Sequence, residues 1–157
     1  MEEIKLQIMT RPLCHALFQA WKNDPAIYAD MSKFTPYRYD PERVNRYFDR
    51  LQEPNRVVFA VMLGERPIGE AQLKRIDRER GECVLSIHLQ NDAVKGKGYG
   101  TAAERLAVRY AFDTLGMRAV LADCVRKNTR SRHVLEKVGF RRTGEEGDFF
   151  LFRCERD

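Results

Sequence analysis

A glycine-rich segment in the second half of the chain places the strongest constraint on the fold. Glycines stand at positions 96, 98 and 100, after an alternating strand pattern at residues 82–90 and before a helical pattern at residues 102–115. Glycine lets the backbone take positive φ angles and turn its N–H groups inward, and a helix N-terminus adds unpaired donors and partial positive charge. Lys95 and Lys97 add full charges. The segment therefore predicts a site for a phosphate or pyrophosphate group.

Three competing glycine motifs fit the segment less well. A Walker loop would need Gly-Lys-Ser/Thr, which is absent here. Residues 98–103 fit the Rossmann pattern G-x-G-x-x-A, and Asp123 lies where that motif places an acidic ribose ligand. However, that motif directly follows a buried strand of the first strand–helix unit. Here several strands and a loop precede it, and too little chain follows for a second mononucleotide half. A tight strand-to-helix turn alone would need only one glycine.

Periodicity along the chain predicts a single domain, residues 1–157, of mixed α/β class. Three strands joined by short turns must run antiparallel, because such connections cannot make a crossover. After residue 102 helices alternate with strands, so we expect a mixed, largely antiparallel sheet of six to seven strands with helices on both faces. Asp40 and Pro41 mark a helix start, as cap and first residue. The expected strands are residues 4–9, 57–63, 68–76, 82–90, 119–125, 140–143 and 149–154, and the expected helices are residues 12–22, a short one ending near 31, 41–54, 102–115 and 129–138.

The charge pattern indicates a mixed, solvated surface. The net charge is +5, but Lys and Arg are interleaved with Asp and Glu, as at residues 77–80. Because no uninterrupted basic run occurs, a nucleic-acid partner is not expected. The excess positive charge suits an anionic cofactor instead.

Location and metal content are also expected from composition. The chain begins with an acidic Met-Glu-Glu, unlike a signal peptide, and no apolar stretch approaches the roughly 18 residues of a membrane span. The four cysteines are scattered, with no CxxC pair and no His at metal-ligand spacing: Cys14, Cys83, Cys124 and Cys154. We therefore expect a cytoplasmic protein without metal, disulfide framework or membrane partner.

Two motifs about 30 residues apart resemble those of the GNAT superfamily of N-acetyltransferases. Residues 95–100, Lys-Gly-Lys-Gly-Tyr-Gly, are similar to that family's pyrophosphate signature, Gln/Arg-x-x-Gly-x-Gly/Ala, with Lys95 in the first place. Residues 128–131, Asn-Thr-Arg-Ser, and residues 136–140, Glu-Lys-Val-Gly-Phe, are typical of the branch that resembles the RimJ/RimL ribosomal-protein N-acetyltransferases. The resemblance implies a mixed sheet that splays between its central strands and binds acetyl-CoA there as co-substrate.

The resemblance also implies how acetyl-CoA would lie. Its pantetheine arm would occupy the gap between the strand that ends with a bulge near Gln90 and the strand at residues 119–125. Its pyrophosphate would accept hydrogen bonds from the backbone N–H groups of residues 97–101, and the second motif would contact the arm or the thiol. The cofactor-binding residues implied in this way are Leu89, Val94, Lys95, Gly96, Lys97, Gly98, Tyr99, Gly100, Thr101, Asn128 and Ser131.

Direct acetyl transfer in a ternary complex needs a group that takes the proton of the amine, because an alkyl amine near pKa 10 is mostly protonated at pH 7. Glu70 is the first candidate, since a carboxylate at this place faces the acceptor cleft in the resembled branch; a solvated Glu at a strand edge is the alternative. His88 is the second, because histidine titrates near neutrality; a packed or hydrogen-bonded His is the alternative. The oxyanion donor would be the Leu89 N–H, freed by the bulge.

The resemblance breaks at one catalytic position. Many relatives carry a Tyr that protonates the departing thiolate where this chain has Leu135, and Leu has no proton to give. Ser131 can supply the proton, unless it serves as a helix cap. A water can replace it, or no acid is required, because a thiol of pKa near 8.5 leaves readily.

The sequence thus predicts an acyl-CoA-dependent N-acetyltransferase that acts on a primary amine. In the resembled branch a longer excursion walls the acceptor site, so the short segment at residues 141–149 implies an open acceptor cleft. Such a cleft suits a peptide N-terminus or a polyamine, while aminoglycosides and amino sugars stay open. An acyl-CoA-binding regulatory module with little catalysis is the alternative, because of Leu135, and a basic nucleic-acid-binding domain is a third hypothesis. The resemblance implies that a homodimer can form.

Overall fold

The computed structural model describes residues 3–157, so Met1 and Glu2 of the acidic N-terminus lie outside the described residues. One seven-stranded sheet has the strand order β1-β2-β3-β4-β5-β7-β6. The strands are β1 Ile4–Ile8, β2 Val57–Leu63, β3 Arg66–Asp77, β4 Glu82–Leu89, β5 Ala119–Val125, β6 Arg141–Glu146 and β7 Phe149–Glu155. The helices are α1 Arg11–Gln19, α2 Pro41–Arg50, α3 Tyr99–Asp113 and α4 Thr129–Val138, with single 3₁₀ turns at Pro25–Ile27, Met31–Lys33 and Asp92–Val94.

The sheet is antiparallel except between its central strands. β4 and β5 run parallel because α3 joins them by a crossover. They pair only over residues 82–84 and 119–121. Beyond that point β4 stays with β3 as far as Leu89, and β5 stays with β7 as far as Val125. The two halves of the sheet therefore part, and the predicted mixed, splayed sheet is confirmed.

Two hydrophobic layers cover the sheet. α3 presents three fully buried alanines to one face, which lets the helix approach closely, and α4 joins that layer through Leu135. α1 and α2 cover the other face, where Leu17 and Val44 pack against β2. All four cysteines are buried free thiols. The helices thus lie on both faces, as predicted.

Several boundaries differ from the sequence prediction. Asp40 does cap α2, since its Oδ1 accepts a hydrogen bond from the Glu42 N–H at 3.0 Å. However, α3 begins at Tyr99 rather than at residue 102, because Gly98, with φ +81°, is the residue before the helix and Gly100 is already helical. The short helix expected near residue 31 is two separate single turns, and β6 extends beyond residue 143 into a tight hairpin with β7. Within residues 3–157, every helix is too short or too polar to cross a bilayer.

Candidate active site

The separation of β4 and β5 creates a cleft of about 450 Å³ in the middle of the sheet. Its walls come from both strands, from α3 and α4, and from the segment that follows α1. A cleft of this size is typical of small-molecule sites. Six of the predicted site residues line it: His88, Leu89, Lys95, Gly100, Asn128 and Ser131.

Within residues 3–157, β4 pairs with β5 only as far as Val84, so the rest of that strand edge faces the cleft. The Gln90 N–H donates to the Ile68 carbonyl beside it at 2.7 Å. Because successive N–H groups of a strand point to opposite edges, the Leu89 N–H turns towards the opening. The bulge predicted near Gln90 is wrong, since the register with β3 is regular here and shifts only between Lys74 and Asp77. The Leu89 N–H is available because β5 has moved away.

The glycine segment leaves the N-terminus of α3 open. Gly96 and Gly98 have φ angles of +73° and +81°, which other residues rarely adopt. Gly98 occupies the cap position, so no side chain caps the helix. The first helical bond runs from the Ala102 N–H to the Gly98 carbonyl, at 3.1 Å. The N–H groups of the first turn therefore have no intrahelical partner, and they form the type of anion site that a diphosphate requires.

The charged residues of this segment divide into two kinds. Lys95 is 9% exposed, and its Nζ lies 2.8 Å from Asp24 Oδ2. Burial alone would raise the pKa of Asp24, but the hydrogen bond from Lys95 holds it below its usual value. The ammonium group of Lys95 is thus already paired with Asp24, whereas the exposed Lys97 has no ion-pair partner within residues 3–157.

Val94 was expected to bind the cofactor through its backbone. It is buried, and its N–H already donates to the Asn91 carbonyl at 3.3 Å.

Glu70 is not among the residues that line the cleft. The Tyr47 hydroxyl donates to Glu70 Oε1 at 2.6 Å, and the Gln72 amide donates to the same oxygen at 2.5 Å. The residue is 4% exposed, and Oε2 has no partner among residues 3–157. Burial raises the pKa of Glu70, although both hydrogen bonds act in the opposite direction. The Glu70 side chain thus points into a buried network under α2, and its role as base stays a prediction.

His88 lies on β4 opposite Glu70 of β3, and it does line the cleft. Burial lowers the pKa of His88, with Lys74 acting in the same direction. The imidazole is consequently neutral at pH 7 and has a lone pair with which to accept a proton. Of the two predicted bases, the structure brings only His88 to the cleft.

The start of α4 forms the opposite wall. Asn128 Oδ1 accepts a hydrogen bond from the Ser131 N–H at 3.1 Å, so Asn128 is the helix cap. The capping role considered for Ser131 thus belongs to Asn128, and Ser131 lines the cleft one turn into the helix. Leu135 also lines the cleft and is 2% exposed. No group of three or more His, Cys, Asp or Glu side chains in the described part of the chain is arranged to hold a metal ion.

Comparison with known proteins agrees with this geometry. The family model described as the acetyltransferase (GNAT) domain matches residues 8–141. The chain belongs to this GNAT family. It is 32% identical over 105 residues to "Probable N-acetyltransferase YjcK" of Bacillus subtilis, a match that covers 66% of this chain and 58% of that protein. It is 24% identical over 152 residues to "Uncharacterized N-acetyltransferase p20" of Bacillus licheniformis, covering 94% of this chain and 84% of that protein.

Solved structures share this fold over nearly the whole chain. A chimera of spermidine N-acetyltransferase SpeG from Vibrio cholerae and hSSAT superposes with a TM-score of 0.77 at 18% identity, covering 97% of this chain and 95% of the other. A domain from Methanocaldococcus jannaschii gives 0.79 at 19% identity, covering 99% and 100%. At these identities the likeness establishes the fold. Family membership and the N-acetyltransferase relatives support the prediction of an acyl-CoA-dependent acetyltransferase.

Sequence reasoning missed one residue of the GNAT cleft, Glu104 of α3. It lines the cleft, is 2% exposed, and makes no side-chain hydrogen bond to any residue from 3 to 157. Burial raises the pKa of Glu104 to about 8. A signal was present, because Glu104 falls between Ala103 and Ala107 on the apolar face of an otherwise regular amphipathic pattern.

Proposed function

We propose that this protein transfers an acetyl group from acetyl-CoA to a primary amine by direct attack in a ternary complex. One observation carries the proposal: the opening between β4 and β5 leads directly to the uncapped, glycine-preceded N-terminus of α3. An extended arm can lie along the free edge of β4, and a diphosphate can meet the N–H groups of α3. Bound there, acetyl-CoA supplies the activated acetyl group.

The second motif supports placement in the RimJ/RimL-like branch. Asn128 and Ser131 stand together where α4 begins, and both line the cleft. Their polar groups can hold the thiol end of the arm across from β4. We assign the acyl-CoA contacts to these two residues, to Leu89, and to the segment at residues 95–101.

Within this arrangement two residues of β4 have separate roles in catalysis. The neutral His88 takes a proton from the amine, directly or through a water. The Leu89 N–H donates a hydrogen bond to the acetyl oxygen as it gains negative charge, an effect worth about 3 kcal/mol in comparable sites. Both groups belong to β4, so a single rigid strand sets their spacing.

The charges around the cleft favour an acceptor that is not a polycation. Five basic side chains line it: Lys22, Lys74, Arg75, Lys95 and Arg130. Three acids line it as well: Asp24, Glu104 and Asp123. Asp24 is already paired with Lys95, and burial raises the pKa of Glu104. Each additional ammonium of a polyamine would therefore meet like charge. We propose a peptide or protein N-terminus as the acceptor, whose single amine is followed by neutral amide groups.

Detection of free thiol during incubation with acetyl-CoA and a panel of amines tests this function. The panel contains short peptides with free N-termini, the same peptides acetylated at the N-terminus, spermidine and glucosamine. We expect turnover with the free peptides, none with the blocked ones, and a kcat/KM for spermidine at least about tenfold lower, corresponding to about 1.4 kcal/mol. Preference for spermidine would contradict the acceptor assignment. Binding of acetyl-CoA without turnover of any amine would instead favour the regulatory module.

A further inference from the structure

Glu104 occupies a position that ordinary packing does not explain. It stands in the second turn of α3, among alanines, on the helix face that packs against the sheet. A carboxyl group in a largely apolar site loses hydration, which costs free energy, and an apolar residue would avoid that cost. The chain nevertheless has Glu where this face borders the cleft, one turn after Gly100.

The backbone shows where the carboxyl group lies. Helix side chains lean towards the N-terminus, so Glu104 covers the turn that contains Gly100. Gly100 has no side chain, and a Cβ atom there would meet only Leu89 Cδ1, at 3.9 Å. Across the gap, burial raises the pKa of the Cys124 thiol, and among the smaller influences the charge of Glu104 raises it too. Glu104 therefore borders the space between Leu89 of β4 and Cys124 of β5.

The surroundings keep this carboxyl group protonated near neutral pH. Burial is the one cause that raises the pKa of Glu104 to about 8, without a neighbouring charge. The cleft also has other titratable or charged groups, which come from every wall. They are Lys22 and Asp24 after α1, Lys74 and Arg75 of β3, His88 of β4, Lys95 before α3, Asp123 and Cys124 of β5, and Arg130 of α4. A neutral carboxylic acid at this position can donate a proton.

The opposite wall lacks such a donor. Leu135 of α4 reaches the same cleft with an apolar side chain. Ser131 has a hydroxyl there, but a hydroxyl is a far weaker acid than a carboxylic acid. The cleft thus holds a neutral imidazole, His88, and a protonated carboxylic acid, Glu104. Burial lowers the pKa of the first and raises the pKa of the second, which suits one to accept a proton and the other to donate one.

We propose that Glu104 is the catalytic acid that protonates the departing CoA sulfur, an inference that rests on the proposed function. As the amine nitrogen bonds to the acetyl carbon, the carbon–sulfur bond breaks and its electron pair passes to sulfur. Glu104 gives its proton to that sulfur, and His88 takes the proton that the nitrogen loses. Afterwards His88 releases a proton to solvent and Glu104 regains one, so the net products are the amide and the CoA thiol.

The test compares Glu104→Gln with the wild type and with Asp113→Asn, an exposed change of the same kind at the far end of α3. We expect kcat with a reactive peptide to fall about 100-fold in E104Q and to stay within about twofold in D113N. The wild-type kcat should decline as the pH rises through about 8, because Glu104 then loses its proton. That decline should be absent in E104Q.

Two readouts do not depend on turnover. Calorimetry should show that E104Q binds CoA within about threefold of the wild type. NMR of ¹³C-labelled glutamate carboxyl groups should show one resonance that titrates near pH 8 in the wild type and is missing in E104Q. If E104Q does not fold, Glu104→Asp replaces it in the comparison. The shorter side chain holds the acidic proton one methylene farther from the cleft, so we expect kcat to fall about tenfold.

A rescue experiment completes the design. Leu135→Tyr in the E104Q background places a hydroxyl on the opposite wall, and we expect it to restore kcat at least about tenfold. Unchanged kcat and pH profile in E104Q would overturn the proposal, as would a loss confined to CoA binding. Absence of wild-type turnover with every amine would defeat the proposed function itself, which distinguishes the two failures.

Discussion

The placement of the diphosphate can be tested with a pair of substitutions at Gly100. This residue lies in the first turn of α3 with ordinary helical backbone, and an added Cβ would make only a normal contact with Leu89. Gly100→Asp and Gly100→Asn add side chains of nearly equal size to this turn. They differ by one negative charge, so a difference between them reports electrostatics rather than packing.

The expected magnitude follows from Coulomb's law. A charge about 6 Å from a diphosphate oxygen interacts by about 0.7 kcal/mol in water and about 2.8 kcal/mol at an effective dielectric constant of about 20. A diphosphate diester carries two such charges, so the aspartate should weaken CoA binding by about 1.4 to 5.5 kcal/mol, or about tenfold to 10⁴-fold. In contrast, a negative charge in the first turn of a helix stabilises the helix by about 0.3 to 1 kcal/mol.

The two effects therefore have opposite signs, and two measurements separate them. Thermal melting without ligand should place the Asp variant at or above the Asn variant. Isothermal titration with CoA should show much weaker binding by the Asp variant, with a gap that narrows as salt is added. Equal affinities in the two variants would refute the reasoning, because the diphosphate would then lie away from the start of α3.

Three further changes test other parts of the molecule. Glu70→Gln should leave kcat within about threefold, because Glu70 lies outside the cleft; a 100-fold loss in steady-state assays would return it to the role of base. Burial raises the pKa of Glu70 in the folded state above its value in the unfolded chain. The free energy of unfolding of the wild type should therefore increase as the pH falls from the folded-state pKa to the unfolded-state pKa. Denaturant titrations of E70Q should lack this increase. His88→Gln should lower kcat/KM at pH 7 about 100-fold and abolish the acid limb, which lies below the usual histidine pKa; a persisting limb would contradict the assignment. Asp40→Ala removes the hydrogen bond to the Glu42 N–H and should cost about 1 kcal/mol in urea unfolding, with unchanged CoA binding as the check that the cleft is intact.

Much of the fold was predictable because its signals are local. Alternation along residues 82–90 marks β4, and Asp40 with Pro41 marks the start of α2. The position of α3 was predicted with a late start, since glycines usually end a helix, whereas Gly100 here belongs to its first turn. The mixed sheet with helices on both faces also followed from element order, because helices alternate with strands after residue 102.

The site was harder to predict from sequence because its properties depend on residues far apart in the chain. The partner of Lys95 is Asp24, about 70 residues away, and no local pattern joins them. Glu70 was placed on the correct strand, but its burial beneath α2 depends on Tyr47. The free N–H of Leu89 was expected from a bulge, whereas it arises from the separation of two strands.

By itself the sequence determined which segments are helices and strands, and it predicted where an anion binds. These properties follow from side-chain period, capping residues and the positive φ of Gly96 and Gly98, which act within a few residues. Only the tertiary structure decided which polar groups reach the cleft and in which protonation state. Burial and long-range pairing control both, and they buried Glu70 away from the site while they brought His88 and Glu104 to it.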